Sequence, residues 1–588
     1  LDGLWTPWGR DRTKGDIEKI IERKAGKEFL GMETTRSEVL INRQLAHEFD
    51  RVKYKFFRRA NGSDSSLMYE NWMEFPQSGE LDLQGFNGVI VRGRIQKRQE
   101  YSDVHASVTP LYRVPSSKQP LIGEAKRRSV LIVGIDSVSR SNVIRNLPLS
   151  YRYLTEEIGG WDFRGYSKID DNTFPNMLAV LTGHKVAVDY KELHENVQTS
   201  FVDHWPFIWT NFSKAGYTTL LAEEQPGIFS YKARGFKRAP TDVYLRPYGH
   251  VLMEMPLYRS SSHFCFGNTP EAQLLLETVR RFMEVQADEK LPYFAFSFLW
   301  KLSHDFTSYI ERLDAILARW LQEIHVAGLL NNTVLMVMSD HGNRFDEIRK
   351  TLIGRYEERM PFLFVHLPES LTGEHAITEA MNTNIWRMST QFDVYETLVD
   401  IVQNTYGTER QTLFNRGISL FREIPLSRTC DDLIIAEHFC VCQVEETISV
   451  ESEEAIRSAK ALIEKINDEL KVVSLQCSEV QENNRWHFKH YLSDKNVTHL
   501  VSFIRLTVLT QPNSALFEAV VQITQPDPQR SFYTARTTSN SISRVNAYGT
   551  AADCISATHR PLEKYCTCRK KASRYQSFNR EMTAEATE

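Results

Sequence analysis

No apolar stretch in the chain is long enough to cross a bilayer; runs such as Tyr293–Trp300 fall well short of the ~18 to 20 residues a spanning helix needs. Charge of one sign is missing as well. Lys plus Arg number 71 against 75 Asp plus Glu, a net of -4, which leaves no global footprint for nucleic acid or an anionic membrane surface. There is no low-complexity tract and no internal repeat of roughly 20 to 50 residues. The chain opens at Leu1 without a charged-then-apolar leader, so any targeting segment or removed anchor is expected outside it. What is present is ordinary: 588 residues, 41% hydrophobic and 25% charged, which excludes a disordered, collagenous or coiled-coil chain and suits two or three folded domains.

Cysteine is scarce where the chain is longest. Cys265 stands alone early, whereas Cys430, Cys440, Cys442, Cys477, Cys554, Cys566 and Cys568 follow in the last third. Six of them form two C…C-x-C clusters, Cys430…Cys440/Cys442 and Cys554…Cys566/Cys568, and the even total of eight suits disulfides in a secreted, extracellular or lumenal compartment; a thiolate metal site is the rival reading. Asn-x-Ser/Thr sequons at Asn61, Asn211, Asn331 and Asn496 agree with a secreted glycoprotein but also arise by chance.

Residues 1–125 read as a polar N-terminal lobe, with a basic amphipathic opening (Lys14 to Lys27) and strand-like alternation in Gly88 to Arg94. From Ser129 to Ile135 the chain is continuously apolar and β-branched, the mark of a strand covered on both faces. Strands are then predicted near Phe163–Tyr166, Thr218–Ala222, Tyr293–Leu299, Thr333–Met338 and Phe362–Val365. Helices are expected after Pro175 and over Asp203–Ala215, Pro270–Gln286 and Tyr309–Ile324. This alternation implies an α/β fold, a doubly wound and mainly parallel sheet spanning 126–427. Residues 428–588 read as a smaller Cys-rich α+β domain, with a helix over Glu451–Val472 and strands over Leu500–Thr510, Leu516–Ile523 and Ser531–Thr537.

In open α/β sheets functional groups gather at the carboxyl ends of the strands. Asp136 ends the first buried strand, His304 and Asp305 follow the strand that closes near Trp300, and Asp340-His341-Gly342 follows Thr333–Met338. Each alone is ordinary, since a strand-terminal Asp is commonly a helix cap. Together Asp and His supply the mixed oxygen and nitrogen coordination that Zn²⁺ or Mn²⁺ accepts. Thr173, in Asn172-Thr173-Phe174-Pro175-Asn176, is expected at a helix N-terminus, where amides and dipole favour an alkoxide and an anionic substrate; a plain N-cap is the alternative.

These motifs resemble the alkaline phosphatase superfamily, which includes sulfatases, nucleotide phosphodiesterases and phosphoethanolamine or phosphoglycerol transferases. Asp171-Asn172-Thr173-Phe174-Pro175-Asn176, Leu302-Ser303-His304-Asp305, Ser339-Asp340-His341-Gly342 and Glu357-Glu358-Arg359-Met360-Pro361 are more closely similar to a sulfatase-like metazoan family known as a domain of unknown function. The resemblance covers most of the chain. It implies that Thr173 is a covalent nucleophile, that Asp136, Asp340 and His341 join it around one divalent metal (Zn or Mn, with Ca an alternative), and that Asn176 helps hold the substrate oxyanion. It also implies that His304 contacts substrate or protonates the leaving group, as the lone histidine of single-metal head-group transferases does; a satisfied structural histidine is the alternative.

Two departures narrow the expectation. The formylglycine signature of sulfatases is replaced by Thr173 and Asn176, which speaks against type-I sulfatase activity. None of the 17 histidines has an Asp four residues before it, so the second metal of the phosphodiesterases is not expected. Arg344, Arg349, Arg355 and Arg359 cluster around Glu357 and Glu358; Arg344, Arg359 and Glu357 are candidates for substrate binding, the alternative being solvated surface. The expected activity is that of a metal-dependent hydrolase or transferase acting on a phosphate ester, such as a phosphodiester or a glycan or lipid head group, through phospho-Thr173. A silent extracellular interaction protein and a sulfoester hydrolase are the alternatives.

Overall fold

The computed structural model describes residues 32–34, 38–41, 49–83, 85–95, 99–110, 127–187, 190–193, 199–231, 234–262, 264–406, 408, 410–443, 445–491, 501–524, 534–538, 541–546 and 549–569. The basic opening at Lys14 to Lys27 and the sequon at Asn496 lie outside the described residues.

Near the N-terminus, β1 (Phe49–Arg59), β2 (Gly88–Ile95) and β3 (Gln99–Ala106) form an antiparallel sheet. Its inward Phe57, Ile90 and Val104 enter the same core as the next strand, so this sheet packs onto the central unit.

That unit is built on seven strands: β4 (Ser129–Ile135), β5 (Trp161–Asp162), β6 (Thr218–Glu223), β7 (Val243–Tyr244), β8 (Tyr293–Leu299), β9 (Thr333–Met338) and β10 (Leu363–His366), in the order β5-β10-β9-β4-β8-β6-β7. β9, β4, β8, β6 and β7 are parallel, and β10 runs antiparallel to β9. The expected strand at Phe362–Val365 therefore exists one residue later and reversed. The strand expected at Phe163–Tyr166 lies instead at Trp161–Asp162; Phe163 N still donates to the Leu363 carbonyl at 2.9 Å, after which the chain leaves the sheet and Tyr166 keeps one bridge to Ser389.

Every residue of β4, β8 and β9 is buried, so alternation sorts side chains between two cores instead of between core and solvent. Leu131, Val133 and Ile135 meet α2 (Glu271–Glu289) and α3 (Glu311–Val326) on one face. Val130 and Ile132 meet α1 (Thr173–Thr182) and α5 (Gln391–Gln403) on the other, while α4 (Leu352–Arg359) lies at the carboxyl edge. The helix expected over Asp203–Ala215 starts only at Ile208, since Asp203 instead accepts the backbone N–H groups of Lys237 and Arg238.

At the C-terminus, α6 (Glu453–Leu470) lays Ala455, Ala459, Leu462 and Ile466 against an antiparallel sheet of β11 (Gln481–Tyr491), β12 (Val501–Gln511) and β13 (Ala515–Thr524), with β14 (Ile542–Arg544) paired to β13. Disulfides join Cys430 to Cys440, Cys477 to Cys566 and Cys554 to Cys568, which leaves Cys265 and Cys442 as thiols. No helix among the described residues is long and apolar enough to cross a membrane.

A buried ionic knot joins this sheet to the central unit. Glu518 on β13 accepts from Arg349 Nη1 at 3.1 Å and from Arg359 Nη2, with Arg505 Nη1 3.6 Å away. Burial alone would raise the Glu518 carboxyl; the three guanidinium groups outweigh it and hold the group well below its ordinary value. Glu518→Gln should cost about 3 to 5 kcal/mol, because it strands buried cations, and should lower the melting temperature. In the wild type the Glu518 contribution is complete above the ordinary Glu value of ~4.3 and is lost as pH falls below it. Thermal melts of both proteins between neutral and acid pH check this; equal melting temperatures at neutral pH would remove Glu518 from the account of stability.

Candidate active site

Parallel pairing aligns the carboxyl ends of β4, β8 and β9, and the chain leaves β4 at Asp136 and β9 at Ser339 and Asp340. Ser137 then adopts a left-handed backbone (φ 62°), which turns its N–H onto Asp340 Oδ1 at 3.0 Å. The same oxygen accepts from His341 N at 2.9 Å and Ser339 Oγ at 3.2 Å. Asp340 Oδ2 is buried and accepts no hydrogen bond. It lies 3.2 Å from His341 Nε2, which is also 3.9 Å from Asp136 Oδ1.

His341 Nδ1 lies 2.8 Å from the Gly342 carbonyl, an acceptor only, so Nδ1 carries the proton and Nε2 presents a lone pair. Burial lowers the His341 pKa and the charges of Arg344 and Lys168 reinforce this against Asp340, so the ring is neutral. Burial and the Asp340 charge push the Asp136 carboxyl up to about 8, while Asp340 stays below its ordinary value against its burial, held by the backbone N–H groups of Ser137 and His341. Two carboxylates and an imidazole lone pair thus converge with their ligand atoms all within 4.8 Å of one another. An orphaned, buried Oδ2 facing a nitrogen lone pair is repulsive unless a cation lies between them, so these residues fit a divalent metal.

Thr173 is the first residue of α1, capped by Asn172, whose Oδ1 accepts from Phe174 N at 3.2 Å. The cap role offered as an alternative for Thr173 thus falls to its neighbour. Thr173 Oγ1 lies 3.4 Å from Asp136 Oδ1 and 3.4 Å from His341 Nε2. Asn176 does not face this point. Its Oδ1 accepts from Ile169 N at 2.9 Å, and its amide donates to the carbonyls of Asp170 and Asn172, both at 2.9 Å. With both amide hydrogens spent on backbone, the expected oxyanion contact is corrected to a positioning role for the loop before Thr173.

His304 sits at the rim, its Nδ1 2.8 Å from Asp305 Oδ1. Burial lowers its pKa, but the Asp305 hydrogen bond and the charges of Asp136 and Asp305 raise it by more. Arg344 donates at 2.7 Å to Oδ2 of Asp171, two residues before Thr173. Glu357 and Arg359 are corrected as substrate ligands: Glu357 accepts from Ser139 Oγ at 2.9 Å and Arg145 at 2.6 and 2.7 Å, and Arg359 is 1% exposed, spent on Glu518 and the His438 carbonyl. Nor are these arginines solvated surface, since Arg349 and Arg355 are also buried, on Glu518 and Glu445.

Sequence reasoning missed Lys168, Asp171 and Glu224. Lys168 is fully buried between the Glu358 carboxylate and the Asp171 carbonyl, and Glu224 Oε2 accepts from Trp300 N and Lys301 N at the root of the loop that carries His304. The available signal was the Lys168-Ile169-Asp170-Asp171 run, three charges in four positions directly before the nucleophile segment.

A family profile described as "Protein of unknown function (DUF229)" matches residues 34–485, in agreement with the resemblance read from the motifs. No curated protein matches the chain in sequence. Among solved structures, the chain is similar to a protein in the alkaline phosphatase superfamily from Vibrio parahaemolyticus (12% identity, 76% of this chain and 89% of that one, TM-score 0.34). It is also similar to the lipoteichoic acid synthase LtaP from Listeria monocytogenes (11% identity, 77% and 98%, TM-score 0.33) and to the PsFucS1 sulfatase from Pseudoalteromonas sp. (12% identity, 75% and 92%, TM-score 0.34). Likeness this shallow says nothing of what the chain does.

A Cβ at Gly342 would lie 2.1 Å from the Glu357 carbonyl oxygen, a backbone atom that cannot yield. Gly342→Ala should therefore displace the turn whose carbonyl fixes the His341 tautomer and weaken divalent-metal affinity by roughly 10- to 100-fold, with the sheet intact by circular dichroism. Calorimetric metal titration checks it; unchanged affinity would mean that the turn does not set the ligand geometry.

Proposed function

We propose that this chain, which belongs to the DUF229 family, is a metal-dependent hydrolase or transferase of phosphate esters in which Thr173 is transiently phosphorylated. The observation that carries this reading is the convergence of Thr173 Oγ1 on Asp136 and His341, beside the orphaned Asp340 Oδ2. Asp136, Asp340, His341 and Thr173 would hold one ion, and an imidazole beside two carboxylates suits Zn²⁺ or Mn²⁺ better than Ca²⁺, which favours all-oxygen cages. Bound there, it would acidify the Thr173 hydroxyl and neutralise charge on the substrate oxyanion.

Thr173 Oγ1 attacks phosphorus at the amino end of α1, where the helix dipole favours an anion, and its proton passes to the adjacent carboxylate. The bond from phosphorus to the leaving oxygen breaks as the His304 imidazolium gives that oxygen a proton. Neutral His304 then takes a proton from water, or from an acceptor hydroxyl, which attacks phosphorus; the bond from phosphorus to Thr173 Oγ1 breaks and that oxygen takes back the proton held by the carboxylate. Because the His304 pKa is raised above 6.5, the acid form persists further into the neutral range.

The bridged cysteines support a secreted, extracellular or lumenal setting. The domain organisation we propose is an N-terminal lobe over 1–125, a catalytic unit over 126–427 and a Cys-rich unit over 428–588. The substrate class is a phosphodiester or a phosphorylated glycan or lipid head group.

The test is metal analysis of the full chain together with a panel of nitrophenyl phosphate, phosphodiester and sulfate esters. Thr173→Ala should keep the metal, since two carboxylates and an imidazole remain, and lose turnover by orders of magnitude. Near-normal turnover by metal-loaded Thr173→Ala would defeat the covalent route, and cleavage of sulfate esters alone would defeat the substrate class. For His304→Ala, turnover of alkyl esters should fall steeply and lose its decline as pH rises through the histidine pKa. Nitrophenyl esters, whose leaving group has a pKa near ~7, should be little affected. Equal losses on both substrates would remove His304 as the acid.

A further inference from the structure

The loop that presents the nucleophile is gripped from the C-terminal sheet. Ser543, on β14, is buried, and its Oγ lies 3.1 Å from Asp171 Oδ1 and 2.8 Å from His438 Nε2. A hydroxyl has one hydrogen, and a carboxylate only accepts, so Ser543 donates to Asp171 and accepts from His438 Nε2–H. The His438 Nδ1 is buried with no acceptor beside it, so nothing draws the proton away from Nε2. His438 is itself fixed: it is fully buried, and its carbonyl accepts from Arg359 Nε at 3.0 Å and Arg505 Nη1 at 2.8 Å.

The other Asp171 oxygen accepts from Arg344 Nη2 at 2.7 Å. Asp171 stands two residues before Thr173 and Arg344 three after His341, so this pair ties together the two segments that carry the nucleophile and the late Asp-His pair. A carboxylate held at one oxygen by a fixed hydroxyl has little freedom to rotate, and its second oxygen then fixes the guanidinium. Arg344 is partly exposed there, with the planar donors that match a tetrahedral oxyanion.

We propose that Ser543 is a positioning residue of the active site: through Asp171 it orients Arg344 toward the non-bridging oxygens of the phosphate whose phosphorus Thr173 attacks. The C-terminal unit is then part of the substrate site and not an appendage. This rests on the reading that the Thr173 cluster receives a phosphate ester, and it adds which residues outside the cluster set affinity for the anion.

The experiment uses the metal-loaded full chain, with inorganic phosphate as the calorimetric probe and nitrophenyl phosphate for kinetics. Ser543→Ala should weaken phosphate binding roughly tenfold, in line with the loss of one hydrogen bond to a charged group, and should raise KM more than it lowers kcat. Metal stoichiometry should not change, and Ser543→Thr should restore affinity. Arg344→Ala should lose at least as much, and the Ser543→Ala/Arg344→Ala double variant should lose no more than Arg344→Ala alone. Asp171→Asn, which keeps the shape of the side chain, should reproduce the loss even if Ser543→Ala proves unstable in thermal melts.

Unchanged phosphate affinity in Ser543→Ala or in Arg344→Ala, losses that multiply in the double variant, or no phosphate binding by the wild type would each overturn the proposal. A wild type that binds phosphate but turns over no ester would instead overturn the phosphoryl-transfer reading, with the binding series still deciding the role of Ser543.

Discussion

Asp136 and Asp340 end neighbouring parallel strands, so the pairing that builds the central sheet also forces two carboxylates together where water is excluded. His341 adds a lone pair aimed at the same point, with its tautomer fixed by the Gly342 carbonyl. Like charges and lone pairs in such surroundings repel, and the fold holds them there through backbone contacts that serve little else: the left-handed Ser137, the amides on Asp340 Oδ1 and the tight turn at Gly342. Thr173 enters on a helix that packs on one sheet face, and His304 arrives from the loop after β8. The repulsion at that point is what the proposed cation would relieve.

Stability and site geometry are coupled through the second, C-terminal sheet. Glu518 gathers Arg349, Arg359 and Arg505, and the same guanidinium groups of Arg359 and Arg505 hold the His438 carbonyl whose ring seats Ser543. A buried ion cluster is a costly way to stabilise an interface, since an apolar one of equal size would do as well. It is a directional one, however. The Cys430–Cys440 loop adds apolar support, since Phe439, Leu433 and Ile435 pack with Ile169 and Ala179 under α1.

The central sheet was legible because β4, β8 and β9 are apolar but for Ser129, Ser297 and Thr333, a signal that needs no knowledge of partners. The reversal of β10 was not, since a short buried strand reads alike in both directions and only its pairing decides. Strand-end acids and histidines could be read as a group because the sheet edge collects them. The misassignments concern side chains whose partners are distant in sequence. Asn176 looks like an oxyanion ligand until its amide is seen spent on Asp170 and Asn172, and Arg359 looks like a phosphate ligand until Glu518, 159 residues away, is found beneath it. Ser543 carries no local signal at all, lying 372 residues from Asp171.

The central claim, a covalent route through Thr173 beside a metal held by Asp136, Asp340 and His341, is tested most directly by acid-quenching the metal-loaded chain during turnover of a nitrophenyl ester and mapping the peptides by mass. The account predicts a phosphoryl adduct on Thr173 that is absent without metal. Steady turnover with Thr173 unmodified, or with the adduct on another residue, would contradict it.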